Sequence, residues 1–281
     1  MRRFSLRRGL KPSKVDIQSD FMDDDLKNSL WNALTMHYWS KMSMGIPLYA
    51  NREIHLLFQN IWSEHFKQPI DTIPHKPYDA LELIRKLFYG FQWYEVYDLI
   101  EFIANSYEDD DVNQNFMEDC NNILTRELSA FRFVGGFLTE ITSEQEIAEV
   151  EKALHVPLDP VKEHLECALK LMSNKKKPEY RNSIKESISA VEAACKRISG
   201  SKKAGLSDAL NSIEREGKVK LHPVLKSAFE KLYGYTSSDT GIRHALVDES
   251  NFDSEDAKFM LISCSAFINY LVVKASKAGV L

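Results

Sequence analysis

Arg243 and His244 are the residues of this sequence best suited to chemistry on a phosphate ester. A guanidinium is a permanent cation that can grip two phosphate oxygens through parallel hydrogen bonds. An imidazole titrates near neutrality, so it can take or give a proton at physiological pH. Both lie in Tyr233-Gly-Tyr-Thr-Ser-Ser-Asp-Thr-Gly-Ile-Arg-His-Ala-Leu246, close to the last strongly helical region. Ser237, Ser238, Asp239, Thr240 and Gly241 precede them, the composition of a turn feeding a helix N-terminus, where outward N–H groups can hold a phosphate.

Their adjacency sets a geometric condition. Neighbouring residues on a helix point about 100° apart. The two groups converge if the helix starts between them, if a dimer supplies one from each chain, or if His244 works with Arg181 from another helix. Arg181, Asn182 and Asp239 are therefore the substrate-binding candidates beside the catalytic candidates Arg243 and His244. The plainer alternatives are a helix-entry pair that fixes a turn through Asp239 or Asp248, and an ordinary helix start after Pro178 at Arg181–Asn182.

Elsewhere the chemistry is sparse. His37 lies on an apolar stripe and reads as a packed core residue. His55 and His65 lack the partners of a zinc site, and His75, His155, His164 and His222 form no metal-binding pattern. No glycine-rich phosphate loop, Ser-His-Asp set or paired-carboxylate site is visible, and no metal or cofactor is expected. The loop lysines Lys175–Lys177 and Lys202–Lys203 suit either RNA steering or simple solvation.

The elements that must position these residues fall into two groups. All four Trp, eleven of fifteen Phe and seven of eleven Tyr lie in residues 1–141. The same stretch holds 15 Lys/Arg against 21 Asp/Glu, whereas residues 142–281 hold 21 against 20. Two domains with different cores follow, and a polyanion is met more comfortably by the second. The net charge of −5 disfavours a general nucleic-acid coat or a DNA- or RNA-binding regulator.

In the first domain, spacing predicts helices at Asp24–Lys41, Arg52–Lys67, Ala80–Ala104 and Val112–Leu128, with a proline-rich loop at Gln68–Pro77. The third is aromatic on more than one side, as a buried helix is. Alternation around Gly135–Gly136 predicts a β-hairpin over Ala130–Ile141. In the second domain, helices are expected at Ser143–His155, Asp159–Ser173, Glu179–Ser199, Gly205–Glu216, Pro223–Leu232 and Ser254–Ala275. The fold class is mainly α: two helical domains, the first closed by a small hairpin and the second a helical bundle.

No uninterrupted apolar run approaches the ~18 residues of a membrane span, and no apolar segment follows the basic N-terminus, so neither membrane insertion nor secretion is expected. The four scattered cysteines suit a reducing cytoplasm, with Cys195 and Cys264 as buried thiols.

Several blocks resemble a known family. Phe4-Ser-x-Arg7-x-Gly9-Leu-Lys-Pro12, Met22-Asp and Leu26-x-Asn28-x-Leu30-Trp31-Asn32 look like the N-terminal domain type of AbiJ-like abortive-infection proteins. Tyr180-Arg-Asn-x-Ile184-Lys-Glu-Ser-Ile-x-Ala190-Val-Glu192, Gly241-Ile-Arg-His244-Ala and Cys264-x-Ala266-Phe-x-Asn269-Tyr look like the HEPN-type helical domain that accompanies it. The resemblance implies an all-α, homodimeric second domain that cleaves RNA without metal. Arg243 would stabilise the charged transition state, and His244 would act as base on the ribose 2′-OH or as acid on the leaving oxygen. It also implies an N-terminal domain that senses or regulates, through a phage-derived trigger or a regulatory partner. The alternative is a non-catalytic scaffold for dimerisation or binding in a defence or toxin–antitoxin system. In the usual motif of the family several residues separate Arg from His, which the adjacent pair does not reproduce.

Overall fold

The computed structural model describes residues 16–174, 178–201, 205–237 and 252–281. The chain divides into two compact units, Met1–Glu140 and Ile141–Leu281. Helices dominate both, and the sheet among the described residues is one antiparallel hairpin.

The first unit begins with helix α1 (Asp24–His37), whose N-terminus is satisfied by the Asp23 carboxylate accepting from the Leu26 amide at 2.9 Å. Asp24 and Asp25 in the first turn suit the positive end of the helix dipole. Helix α2 (Arg52–Asn60) runs directly into a π-turn at Ile61–His65, closed by the Phe66 amide donating to the Ile61 carbonyl at 2.8 Å. Helices α3 (Pro77–Gly90), α4 (Trp93–Ser106) and α5 (Asp110–Arg126) follow. Aromatic contacts join them: Trp31 to Phe88 at 5.2 Å, Tyr38 to Phe116 at 5.0 Å and Trp39 to Phe58 at 5.6 Å between ring centroids. This is where the aromatic content of the first half goes, into one core.

Spacing predicts one helix over residues 80–104, and the structure has two. The break falls at Phe91–Gln92, both extended, and Glu95 restarts the helix by accepting from the Gln92 amide at 2.7 Å. Lys27 reaches across from α1 and donates to the Phe91 carbonyl at 2.7 Å and the Tyr89 carbonyl at 3.2 Å, satisfying the end of α3. The aromatic residues on more than one side are thus two amphipathic faces placed end to end.

Strands β1 (Arg132–Val134) and β2 (Phe137–Thr139) pair in the register Arg132 with Thr139, Phe133 with Leu138 and Val134 with Phe137. Gly135 and Gly136 take φ of 56° and 87°, the positive values a two-residue hairpin turn requires. Asn121 of α5 fixes β1 by accepting from the Phe133 amide at 2.7 Å and donating to its carbonyl at 2.9 Å. At the other end, Gln18 bridges to Ser129: its amide donates to the Leu128 carbonyl, and its carbonyl accepts from Ala130.

The second unit comprises α6 (Glu144–Leu154), α7 (Asp159–Met172), α8 (Tyr180–Ser199), α9 (Leu206–Arg215), α10 (Pro223–Ser237) and α11 (Ser254–Lys277). The long α8 packs against α7, α9 and α11 and buries Ile184, Ile188, Val191, Cys195 and Ile198, the residues its spacing singles out. Buried small polar residues let α7 approach closely, with the Ser183 hydroxyl donating to the Ala168 carbonyl at 2.8 Å. Gly200 at φ 78° ends α8. Asn269 on α11 donates to the Glu149 carbonyl at 2.9 Å and to its carboxylate at 2.8 Å, tying α6 to α11.

Helix α10 extends to Ser237, five residues past the Leu232 end that its composition predicts, so Ser237 closes a helix instead of starting a turn. Helix α11 also departs from expectation. Interruptions by Ser263, Ser265 and Asn269 break its apolar runs, yet its most apolar 18 residues average a hydropathy of 1.5, enough by length and composition to cross a membrane. Half of that window is buried inside the structure, and Ala257, Met260, Leu261, Cys264, Phe267, Ile268 and Leu271 form its core face.

Candidate active site

Arg243, His244 and Asp239 lie outside the described residues, as does Asp248. Arg181 and Asn182 occupy the first turn of α8, which has no side-chain N-cap. Asn182 is exposed, and its side-chain amide donates to the Glu179 carboxylate at 2.5 Å. Arg181 is half-buried. Asn182 thus ties the first turn of α8 to the residue just before it.

Below that turn, α7 and α8 bring together a pair that spacing does not reveal. His164 on α7 and Glu186 on α8 meet with Nδ1 and Oε2 2.7 Å apart. The side chain of His164 is 38% exposed and that of Glu186 21%, so the contact sits at the rim of the helix pair and is open to solvent on one side. The exposed Cys167, one turn along α7, belongs to the same surface. Its thiol is pushed up by burial and then by the Glu186 charge, while Lys170 and Lys185 act in the opposite direction. Lys170 and Lys185 are exposed and make no ion pair among the described residues. An imidazole held by a carboxylate and open to solvent on its other edge is an arrangement that can move a proton.

The first unit contains a second such pair in a different setting. His37 is mostly buried at the edge of the core, as its stripe position predicts, and its Nε2 lies 2.7 Å from Asp119 Oδ2. The ring stands edge-on to Phe116 at 5.8 Å. A separate cleft of about 420 Å³ is lined by Trp62, Phe66, Leu83, Leu87 and Phe91 with Gln68 and Thr72. Its wall includes the π-turn and borders Lys67, a non-glycine residue at φ 54°. Among the described residues no three His, Cys, Asp or Glu side chains are grouped as a metal site requires.

Cys120, Cys195 and Cys264 are buried free thiols, as the apolar stripes predict for the last two. Burial pushes Cys195 and Cys264 up to about 12 and Cys120 well above the usual thiol range, so none of the three is a nucleophile near neutrality.

With a mainly α fold in two units, residues 2–156 match the family described as AbiJ N-terminal domain 4. The chain belongs to that family, and the match spans the first unit and runs on through α6. No curated protein and no solved structure matches the chain.

Proposed function

We propose that this protein is an antiphage abortive-infection effector whose second unit cleaves RNA as a homodimer. The observation that carries the proposal is membership of the AbiJ N-terminal domain 4 family, whose name carries the abortive-infection label, joined to the HEPN-like block around Arg243 and His244. Cleavage proceeds by internal transesterification: the ribose 2′-oxygen attacks phosphorus, the P–O5′ bond breaks, and a 2′,3′-cyclic phosphate remains. Arg243 offsets the charge that grows on the phosphoryl oxygens, and His244 transfers a proton. No metal or cofactor takes part, and the first unit serves as the sensor of a phage-derived trigger.

A feature of α11 supports the homodimer. Opposite its core face, Phe259 is 58% and Val273 42% exposed, and Ile262, Ala266 and Tyr270 lie between them at helical spacing. Five residues of this kind on one face form the seam along which a second helix packs.

The test compares wild type with His244→Ala in cells and on purified RNA containing EDTA. Growth arrest and EDTA-resistant cleavage by the wild type alone support the proposal. Equal arrest by both proteins, or cleavage that EDTA abolishes, overturns it in favour of a non-catalytic scaffold or a metal-dependent reaction.

A further inference from the structure

Resting on the RNA-cleavage function above, we propose that His164, held by Glu186, is a proton acceptor for the ribose 2′-OH, with Lys170 and Lys185 binding the phosphodiester.

Three observations carry the assignment. The contact of 2.7 Å between Nδ1 and the Glu186 carboxylate places the neutral ring's proton on Nδ1, which leaves the Nε2 lone pair as the acceptor. Nε2 makes no hydrogen bond among the described residues, and the side chain is 38% exposed, so that lone pair is available. Lys170 stands one turn beyond Cys167 on α7 and Lys185 next to Glu186 on α8, and both are exposed and lack carboxylate partners among the described residues.

The contrast with the first unit sharpens the choice. His37 pairs with Asp119 at the same 2.7 Å, but its side chain is only 17% exposed and its ring stands against Phe116. That pair is a packed tie between α1 and α5. The α7–α8 pair has an open imidazole edge and neighbouring cations, which a tie between two helices does not require.

In the proposed step, Nε2 takes the 2′-OH proton as the 2′-oxygen bonds to phosphorus. The P–O5′ bond breaks, and the departing oxygen takes a proton from water. His164 then releases its proton to solvent. The lysines hold the non-bridging oxygens as point charges.

The experiment measures single-turnover cleavage of an RNA oligonucleotide by the full chain in EDTA. The proteins are wild type, His164→Ala, Glu186→Gln and the double variant Lys170→Ala/Lys185→Ala, each checked by thermal melting. The expected results are a loss of about 100-fold or more in His164→Ala, within the usual range for a general base. Added imidazole restores its rate in proportion to concentration, Glu186→Gln loses less, and the lysine variant needs more RNA for half-saturation. Wild-type cleavage matched by His164→Ala, or loss in His164→Ala that imidazole leaves untouched, overturns the assignment. A Glu186→Gln variant that melts like wild type and cleaves at the wild-type rate overturns it as well. An inactive wild type overturns the RNA-cleavage function itself, so the two failures are distinct.

Discussion

The side-chain amide of Asn105 donates to the Gly136 carbonyl at 2.9 Å, and the same side chain fills the space where a Cβ on Gly136 would stand. That Cβ would lie 2.7 Å from Asn105 Oδ1, at a backbone φ of 87°. Gly136→Ala therefore combines a left-handed backbone with a steric clash. The expected cost is about 1–3 kcal/mol, read as a lower melting temperature of the first unit. A melting curve identical to wild type would count against the geometry of this turn.

Buried phenols predict an alkaline weakness in the first unit. Burial pushes Tyr97 up to about 12 and Tyr38 further above the ordinary phenol range. Their folded pKa values exceed the unfolded ones, so the stability they contribute is full below about pH 10 and falls as pH rises beyond it. Denaturant midpoints of the first unit should drop between about pH 10 and 12, and Tyr97→Phe should flatten that slope. Equal slopes in both proteins would contradict this.

Tyr38 also tests a buried hydrogen bond. Its hydroxyl donates to Asn113 Oδ1 at 3.0 Å, and Asn113 in turn donates to the Tyr107 carbonyl at 2.8 Å. Tyr38→Phe leaves that amide oxygen short of a donor and should destabilise by about 1–2 kcal/mol, measured by chemical denaturation.

The four cysteines should separate cleanly in alkylation. Cys167 is exposed and the other three are buried, so one thiol per chain reacts quickly in the native state and all four after unfolding. Glu186→Gln removes a negative charge that holds the Cys167 thiol up. Its pKa then falls, and alkylation at pH 8 accelerates. A native protein with two or more fast thiols would show that the second unit opens readily.

The outward stripe of α11 gives an assembly prediction. Phe259→Lys combined with Val273→Lys should shift sedimentation from dimer to monomer while leaving helix content unchanged. A wild type that sediments as a monomer would remove the basis for a shared site.

What the sequence made legible followed from local rules. The repeat Ile184, Ile188, Val191, Cys195 and Ile198 announces α8, and Gly135–Gly136 announces the hairpin, because each depends on residues close in the chain. The break at Phe91–Gln92 carried a signal as well, Gly90 followed by Gln92 and Glu95, but the continuous aromatic content masked it. His164 and Glu186 were not legible as a pair. Their meeting depends on the register of α7 against α8, which is set by buried residues of both helices such as Ala168 and Ser183, and no single stretch of sequence displays that register. His37 shows the same limit: its stripe position indicates that the side chain points inward, not that Asp119 waits there. Arg181 and Asn182 stand in the first turn of α8, after Pro178 as their local sequence predicts, and Arg243, His244 and Asp239 lie outside the described residues.

The bridge from Gln18 to the residues before β1 has a consequence for cutting the chain. Gln18 Nε2 donates to the Glu127 carbonyl, 109 positions away, and its Oε1 accepts from the Asp23 amide. The stretch from Gln18 to Ala130 is therefore a closed ring in hydrogen-bond terms, with α1 to α5 contained inside it. A fragment beginning at Asp24 would retain every helix of the first unit but lose the clasp, and its ends would fray independently. One beginning at Asp16 keeps the ring shut.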